Sequence, residues 1–458
     1  MSRRRGGSNS NDLISQMPDD ALVTILSFLP IKEAAATSCL SSRWRFLWCN
    51  VTRLNFEGPK TYNLLDSQWS KYMNQVNSVI QSYNQSVVQD FRIQFELTNH
   101  SKTVFDEWLQ FAVNKKVEFL ELTLSRCRFE WSESYHFPLI LFDTQLYRRP
   151  SSNAIFVEIL SLKKLVLKMV NVTDAILQEF LTNCPHLETI VIHCSSCLKH
   201  VRVGGRALNL KHFEIMSRLT VESIYLSNFD LVSFTYKGPP IDLRFTNLPK
   251  LNEVDMYEGY VGRNPHNVFD QISFCSVSLQ ALSINIHDDH NPKYYVTLSL
   301  QNIAKLDSFP ELPNVKKFRL VIGGRKCDCF LDLALILNAC PNIQTFEIKP
   351  LWTSPIISRR KAREVTNPIK NLKLVKIVGY YGRKCDLQLV EYIIHSAVSL
   401  KKIVIDPFEY NRGLSPAAFN FLKNKEVARS TTEDQLKSIL GSALDAEMST
   451  PCCLLLPV

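Results

Sequence analysis

What this chain of 458 residues lacks narrows its chemistry first. No apolar run approaches the eighteen or so residues that a membrane-spanning helix needs, and Arg3, Arg4 and Arg5 are not followed by the hydrophobic stretch of a secretory signal. The phosphate-binding loop, the dinucleotide fingerprint and the nucleophile elbow are all missing. Gly204-Gly205 and Gly323-Gly324 each follow a strand-like segment and read as plain turns. Charge bias is small, since 53 basic against 44 acidic residues leave a formal +9, which exerts little general pull on nucleic acid or membranes. The 13 cysteines have no framework spacing, and without a secretory entry they are expected to be small buried hydrophobes in a reducing compartment. Cytoplasm or nucleus is the expected location, with no disulfide, no membrane partner and no cofactor. Neither Cys452 nor Cys453 is fourth from the end, so no prenylation box closes the chain.

What is present is globular: 45% hydrophobic and 21% charged residues over a length sufficient for two or three domains. Residues 1–11 hold almost no apolar side chain and read as a disordered lead-in. Pro18 then suits a first helical position, with Asp19 and Asp20 where the helix dipole favours negative charge. Leu22, Ile25, Leu26 and Leu29 follow at i, i+3, i+4 and i+7 before Pro30 stops the helix. A second short helix is expected from Lys32 to Cys39 through Ala34, Ala35 and Ala36, and a third after Ser41 containing Arg43, Trp44, Leu47 and Trp48. Three such helices in under forty residues bury little surface, which points to an interaction module.

The residues Met17-Pro18-Asp19-Asp20, the helix end Ile25-Leu26-Ser27-Phe28-Leu29-Pro30 and the finish Leu40-Ser41-Ser42-Arg43-Trp44 to Leu47-Trp48 resemble the F-box of the plant-type F-box/leucine-rich-repeat families. The resemblance spans residues 12–56. Met17, where leucine is usual, and Cys39 are its departures, and both conserve volume tolerably. It implies that this segment binds a Skp-family adaptor and, through it, a cullin scaffold, with Met17, Pro18, Leu22, Ile25, Leu26, Leu29, Trp44, Leu47 and Trp48 as the adaptor-binding set. Some of these must also hold the three helices together.

An amphipathic stretch from Trp69 to Tyr83 and the alternation Phe91 to Leu97 come next, in a segment, 57–116, read as linker and start of a solenoid. Then apolar-x-apolar triplets recur, among them Leu120–Leu124, Leu165-Val166-Leu167, Ile190-Val191-Ile192, Phe318-Arg319-Leu320, Phe346-Glu347-Ile348 and Ile403-Val404-Ile405. Leu162-Lys163-Lys164-Leu165, Val315-Lys316-Lys317-Phe318 and Leu400-Lys401-Lys402-Ile403 introduce three of them in nearly the same words. A longer phrase also repeats: Asn183-Cys184-Pro185-His186-Leu187-Glu188-Thr189 parallels Ala339-Cys340-Pro341-Asn342-Ile343-Gln344-Thr345. Helix, proline break and strand make one unit, at a period mostly of about 20–29 residues. The asparagine and glycine positions of a leucine-rich consensus are poorly kept.

The expected fold is therefore α/β: a small three-helix F-box, then an irregular leucine-rich-repeat solenoid (a horseshoe) over 117–368 and an α/β terminal cap. The cap, residues 369–407, resembles the FBD segment appended to such proteins, through Leu372 to Ile377, Gly379-Tyr380-Tyr381-Gly382, the helix around Leu389–His395 and the strand Leu400–Ile405. Residues 408–458 read as a polar tail with a short helix near Gln435–Leu440. In the solenoid, the middle residues of the triplets would line an extended concave surface. Val166, Val191, Glu214, Tyr225, Asp255, Arg319, Glu347 and Lys376 are the candidate substrate-binding set.

Other chemistry carries less weight. His193, Cys194, Cys197 and His200 have soft-ligand types but no second ligand pair at a zinc-site spacing, and they read as a strand end with its turn. Cys327 and Cys329, and His287-Asp288-Asp289-His290, read as turn and loop, so no metal site is expected. The cluster Arg359, Arg360, Lys361 and Arg363 lacks interleaved aromatics to stack bases, and nucleic acid is not expected as a partner. The resemblance implies a non-catalytic role: substrate receptor of a cullin-based ubiquitin ligase, capturing a protein substrate whose identity the sequence does not disclose. Competing readings are an F-box protein acting outside a ligase, a small-molecule-sensing repeat receptor, and a thiol enzyme. Against the last, no cysteine has a neighbourhood that depresses its pKa.

Overall fold

The computed structural model describes residues 13–58, 66–83, 85–97, 102–126, 135–138, 161–217, 220–239, 241–256, 270–287, 310–324, 336–352, 368–380, 384–406 and 445–448. Two compact units are present: one comprises residues 1–198 with 208–210, the other 199–207 with 211–458.

The first unit opens with α1 (Leu13–Gln16), α2 (Asp19–Leu26) and α3 (Ile31–Ala36), followed by 3-10 turns at Thr37–Cys39 and Trp44–Asn50. Pro18 precedes α2 in extended conformation, with Asp19 and Asp20 in the first turn as the dipole favours. The Ala-rich helix is shorter than expected because it tightens into 3-10 geometry at Thr37. The tryptophan segment is 3-10 throughout. Ser41 contributes its carbonyl, accepting from the Trp44 N–H at 3.1 Å, and its side chain caps nothing. Leu22, Leu26, Ile31, Ala34, Trp44 and Leu47 are buried together with Leu54 of β1 (Arg53–Glu57).

Next come α4 (Asp66–Ser82), β2 (Asp90–Leu97), α5 (Lys102–Asn114), β3 (Phe119–Arg126), β4 (Lys164–Lys168), α6 (Asp174–Asn183) and β5 (Thr189–His193). Strands β1 to β5 lie in sequence order and every pair is parallel, as strand–crossover–strand repeats require. Helix α4 realises the amphipathic stretch, burying Tyr72, Met73 and Val76. Tyr72 stacks on Phe95 at 4.3 Å, and Trp108 of α5 meets the edge of Phe105 at 5.2 Å. Thr173 caps α6, its Oγ1 accepting from the Ile176 N–H at 3.2 Å.

The second unit contains β6 (His200–Gly204), β7 (His212–Met216), β8 (Ser223–Ser227), β9 (Ser233–Lys237), β10 (Asp242–Thr246), β11 (Glu253–Met256), β12 (Ala281–His287), β13 (Lys317–Gly324) and β14 (Thr345–Trp352). It closes with β15 (Leu374–Val378), α7 (Lys384–Ser396), β16 (Lys402–Asp406) and β17 (Asp445–Met448). Here two parallel sheets form. The long one runs β7-β9-β11-β12-β13-β14-β15-β16-β17 and the short one β10-β8-β6. From β6 to β11 the strands alternate between the two sheets, so each turn places a strand where other turns place a helix or loop. Phe234 of β9 meets Phe245 of β10 at 5.5 Å, edge to face, between the sheets. The triplet Ile224-Tyr225-Leu226 therefore belongs to the short sheet. Strand β17 lies inside the segment expected to be tail; Asp-Ala-Glu-Met is too short and polar to announce a strand.

The repeat is geometric as well as textual. Cys184 and Cys340 are both buried, and their carbonyls accept from Leu187 and Ile343 at 3.1 Å each. An asparagine three residues before a strand reaches back to the previous turn. Asn314 Nδ2 donates to the Val277 carbonyl at 2.7 Å, Asn342 to Pro313 at 2.8 Å and Asn371 to Pro341 at 3.1 Å. Asn209 makes the same bond to Pro185 at 2.6 Å in the first unit.

Candidate functional site

Two surfaces emerge, one in each unit. On the first helices, sequence periodicity alone would bury Leu22, Ile25, Leu26 and Leu29 together, but packing divides them. Leu22 and Leu26 are fully buried, Leu29 is half-buried, and Ile25 stands 46% exposed. Trp44 and Leu47 are buried and Trp48 half-buried, whereas Met17 and Pro18 are exposed. Of eleven large exposed hydrophobics among the described residues, seven fall in the first 34 described positions: Leu13, Ile14, Met17, Ile25, Phe28, Leu40 and Phe46. Phe28 is 74% and Phe46 67% exposed. Scattered apolar residues are ordinary on a surface; so high a share of them in one short segment is not. Sequence reasoning missed Leu13, Ile14, Phe28, Leu40 and Phe46; the only available signal was apolar residues falling between the stripe positions.

Arg43 fixes this surface. Its guanidinium donates to Asp19 Oδ1 at 2.8 Å, to the Ser15 carbonyl at 2.7 Å and to the Met17 carbonyl. One side chain thus ties the end of α1 and the start of α2 to the third helical turn, a task suited to Arg's rigid fork of donors. Arg53 stacks over the Phe28 ring at 5.7 Å, leaving most of the ring open.

On the second surface, the outer residues of each apolar-x-apolar triplet are buried, as at Phe318 and Leu320, or Phe346 and Ile348. Middle residues face the other way. Register aligns Asp255 with Ser283, Ser283 with Arg319, Arg319 with Glu347 and Glu347 with Lys376. Glu214 lies in the same row, beside Thr235. Arg319 pairs with Glu347 at 3.2 Å, and Lys237 with Glu214 at 3.9 Å. Five of the candidate substrate residues are thus brought into one row. Tyr225 is not: it lies in the short sheet, where its hydroxyl donates to Asp242 Oδ2 at 2.8 Å under the Arg244 guanidinium. Val166 and Val191 are register partners in the first unit, Val166 buried and Val191 half-buried.

The F-box and repeat architecture agrees with known protein families. A family model described as the At1g61320/AtMIF1 LRR domain matches residues 79–438, and the F-box domain model matches residues 14–56. The chain belongs to the F-box/leucine-rich-repeat family. Like this F-box/LRR protein, the F-box/FBD/LRR-repeat protein At1g78750 of Arabidopsis thaliana runs nearly end to end with it, 22% identical over 443 residues, 88% of this chain and 91% of that one. F-box/LRR-repeat protein 13 of the same plant is 23% identical over 442 residues, with the same coverage. The putative F-box/LRR-repeat protein At3g28410, also of Arabidopsis thaliana, is 26% identical over 189 residues; the match takes in 40% of this chain and only 37% of that relative's length.

In this F-box/LRR protein the remaining chemistry-bearing residues are local. Cys194 adopts a left-handed φ of 57° in the turn after β5, and Cys197 Sγ lies 3.9 Å from His136 Nδ1. Among the described residues, no three His, Cys, Asp or Glu side chains gather as a metal centre needs. Burial pushes the thiols of Cys184, Cys275 and Cys340 up to about 12, so they stay protonated and act as packing groups. Among the described residues, no helix is long and apolar enough to cross a membrane. Cys327, Cys329, Asp288, Asp289, His290 and the cluster Arg359 to Arg363 lie outside the described residues, as does the helix expected near Gln435.

Proposed function

We propose that this protein is the substrate-receptor subunit of an SCF-type cullin ubiquitin ligase. Its N-terminal helices, within residues 12–56, dock on a Skp-family adaptor, and its repeats hold a protein substrate for ubiquitination. Carrying this reading is the group of exposed apolar side chains on an F-box segment: Leu13, Ile14, Met17, Ile25, Phe28, Leu40 and Phe46. Of the adaptor-binding set, Met17, Pro18 and Ile25 make contact, Leu29 and Trp48 border it, and Leu22, Leu26, Trp44 and Leu47 form the core beneath. The contribution to reaction is positioning: tethering raises the effective concentration of substrate lysines near a charged ubiquitin carrier. No nucleophile in this chain is required.

The test is reconstitution. Purified full-length protein mixed with Skp-family adaptor should form a complex that recruits the cullin scaffold, and the assembled complex should support ubiquitin transfer to a protein captured by the repeats. Complex formation without transfer to a captured protein would instead favour an F-box protein working outside a ligase. Failure to bind the adaptor would refute both.

A further inference from the structure

Charge on the open face of the second unit's long sheet is segregated. Parallel register aligns the first, third and fifth residues of successive strands in three rows. In those rows β7, β9 and β11 carry Glu214, Glu253 and Asp255 against a single full cation, Lys237. Strand β12 follows with the short side chains Ala281, Ser283 and Asn285. Beyond it the sign reverses. Strands β13 to β16 carry Lys317, Arg319, Lys349, Lys376 and Lys402 against only Glu347 and Asp406. Lys316, Lys373 and Lys401 are exposed immediately before three of these strands. Arg319 is matched by Glu347, whereas Lys317 and Lys376 have no ion-pair partner among the described residues.

We propose that this basic half, β13 to β16, is the subsite that recognises the protein substrate, and that it takes an extended segment rich in Asp and Glu. The inference rests on the reading of the repeats as the substrate surface. Three observations support it. Cations at positions i and i+2 of one strand, such as Lys317 and Arg319, are spaced by roughly 6.5–7 Å, the spacing of alternate side chains in an extended acidic peptide. Lys316, Lys373 and Lys401, exposed just before β13, β15 and β16, extend the positive charge along the entry to these strands. Finally, no aromatic residue occupies the three rows of β13 to β16, so the face lacks the platforms on which single-stranded nucleic acid stacks. The neighbouring acidic half repels such a segment and fixes on which half it lies.

The experiment measures fluorescence anisotropy on the full-length protein, alone and mixed with the Skp-family adaptor. Its probes are a labelled twelve-residue Glu/Asp peptide, the matching Gln/Asn peptide and a twelve-nucleotide single-stranded RNA. The acidic peptide is expected to bind at least tenfold tighter than its amide counterpart, with affinity falling steeply between about 50 and 300 mM salt as screening shortens the reach of the face. Lys317→Glu/Arg319→Glu/Lys376→Glu should weaken it at least tenfold, and Glu253→Lys, on an exposed residue of the acidic half, should not weaken it. If the triple variant loses its thermal transition, Lys317→Gln/Lys376→Gln is measured instead, with a loss of at least threefold expected. Equal binding of the acidic and amide peptides, wild-type affinity in a folded variant, or tighter binding of the RNA would overturn the proposal. Adaptor capture, read on the same preparations, reports on the ligase reading separately: its loss with peptide binding intact counts against that reading and not against this subsite.

Discussion

Asn371 donates its side-chain amide both to the Pro341 carbonyl at 3.1 Å and to Asn342 Oδ1 at 3.2 Å, so one rung of the asparagine ladder rests on the next. Asn342 in turn donates to Pro313 at 2.8 Å. These bonds sit where each turn enters its strand, and they hold neighbouring turns in register without needing a side chain in the core. Each is a neutral, solvent-accessible bond, so its net contribution belongs at the modest end of the range.

Replacing Asn342 by Ala should therefore destabilise the second unit by about 0.5–1.5 kcal/mol. Asn342→Asp should cost at least as much, because a carboxylate cannot donate to Pro313 and faces the same carbonyl. Urea unfolding of the two variants against wild type measures both. No change in either midpoint would show that the ladder accompanies the register without supporting it.

The aromatic residues inside the repeats carry more. Phe318 and Phe346 are buried register partners with ring centroids 6.0 Å apart. Phe346→Ala should cost about 3–5 kcal/mol, the range for emptying a phenylalanine site in a packed core. Phe346→Leu, which refills most of the volume, should cost clearly less.

Alkali should weaken the fold. Cys184, Cys275 and Cys340 have folded pKa values raised by burial from 9.0 to about 12. Below pH 9 the thiol is protonated in both states and the raised value has no effect on the balance. Between about pH 9 and pH 12 the unfolded chain releases these protons while the folded one retains them, so stability falls as pH rises. Urea midpoints taken at pH 8, 9.5 and 10.5 should decline, and Cys184→Ala/Cys275→Ala/Cys340→Ala should flatten the decline even though it lowers the midpoint at pH 8.

Much of this was legible in the sequence, for identifiable reasons. Asp19 and Asp20 act through local backbone chemistry and marked the first turn of α2, while Pro18 stands one position earlier than expected, as the extended N-cap residue. The paired phrases around Cys184 and Cys340 repeat because each turn solves one packing problem, and they announced a repeat of strands. Which face of α2 is covered could not be read: Ile25 and Leu26 are adjacent and equally apolar, and only the position of Trp44 and Leu47 decides that Leu26 is inside. A second sheet was hidden by treating every apolar-x-apolar triplet alike. From His212 to Glu253 strands start at 212, 223, 233, 242 and 253, about half the repeat period expected over the whole chain. That halving was the sign of two strands per turn, and it moves Tyr225 away from Glu214 and Asp255. The asparagines precede the strands and lie outside the apolar-x-apolar triplets, so the hydrophobic pattern does not single them out.

Arg43 should act as a positioning residue for the adaptor surface. Its ion pair with Asp19 is solvent-exposed and worth at most about 1 kcal/mol, but its donations to the Ser15 and Met17 carbonyls orient the exposed residues around them. Arg43→Ala is expected to lower adaptor affinity about tenfold, equivalent to about 1.4 kcal/mol, while shifting the thermal midpoint little. Arg43→Lys should restore part of the affinity, since an ammonium cannot reach all three acceptors in one plane. A parallel fall in stability and affinity would assign Arg43 to folding alone.

Adaptor affinity of the full-length protein, measured by calorimetry, tests the central claim most directly when an exposed and a buried residue of the same helix are compared. Ile25→Asp and Phe28→Asp place a charge in the docking face and should each reduce adaptor affinity at least 100-fold, with circular dichroism and thermal midpoint unchanged. Leu26→Asp puts the charge in the core instead and should lose affinity together with the helical signal. Wild-type affinity in folded Ile25→Asp and Phe28→Asp proteins would contradict the account.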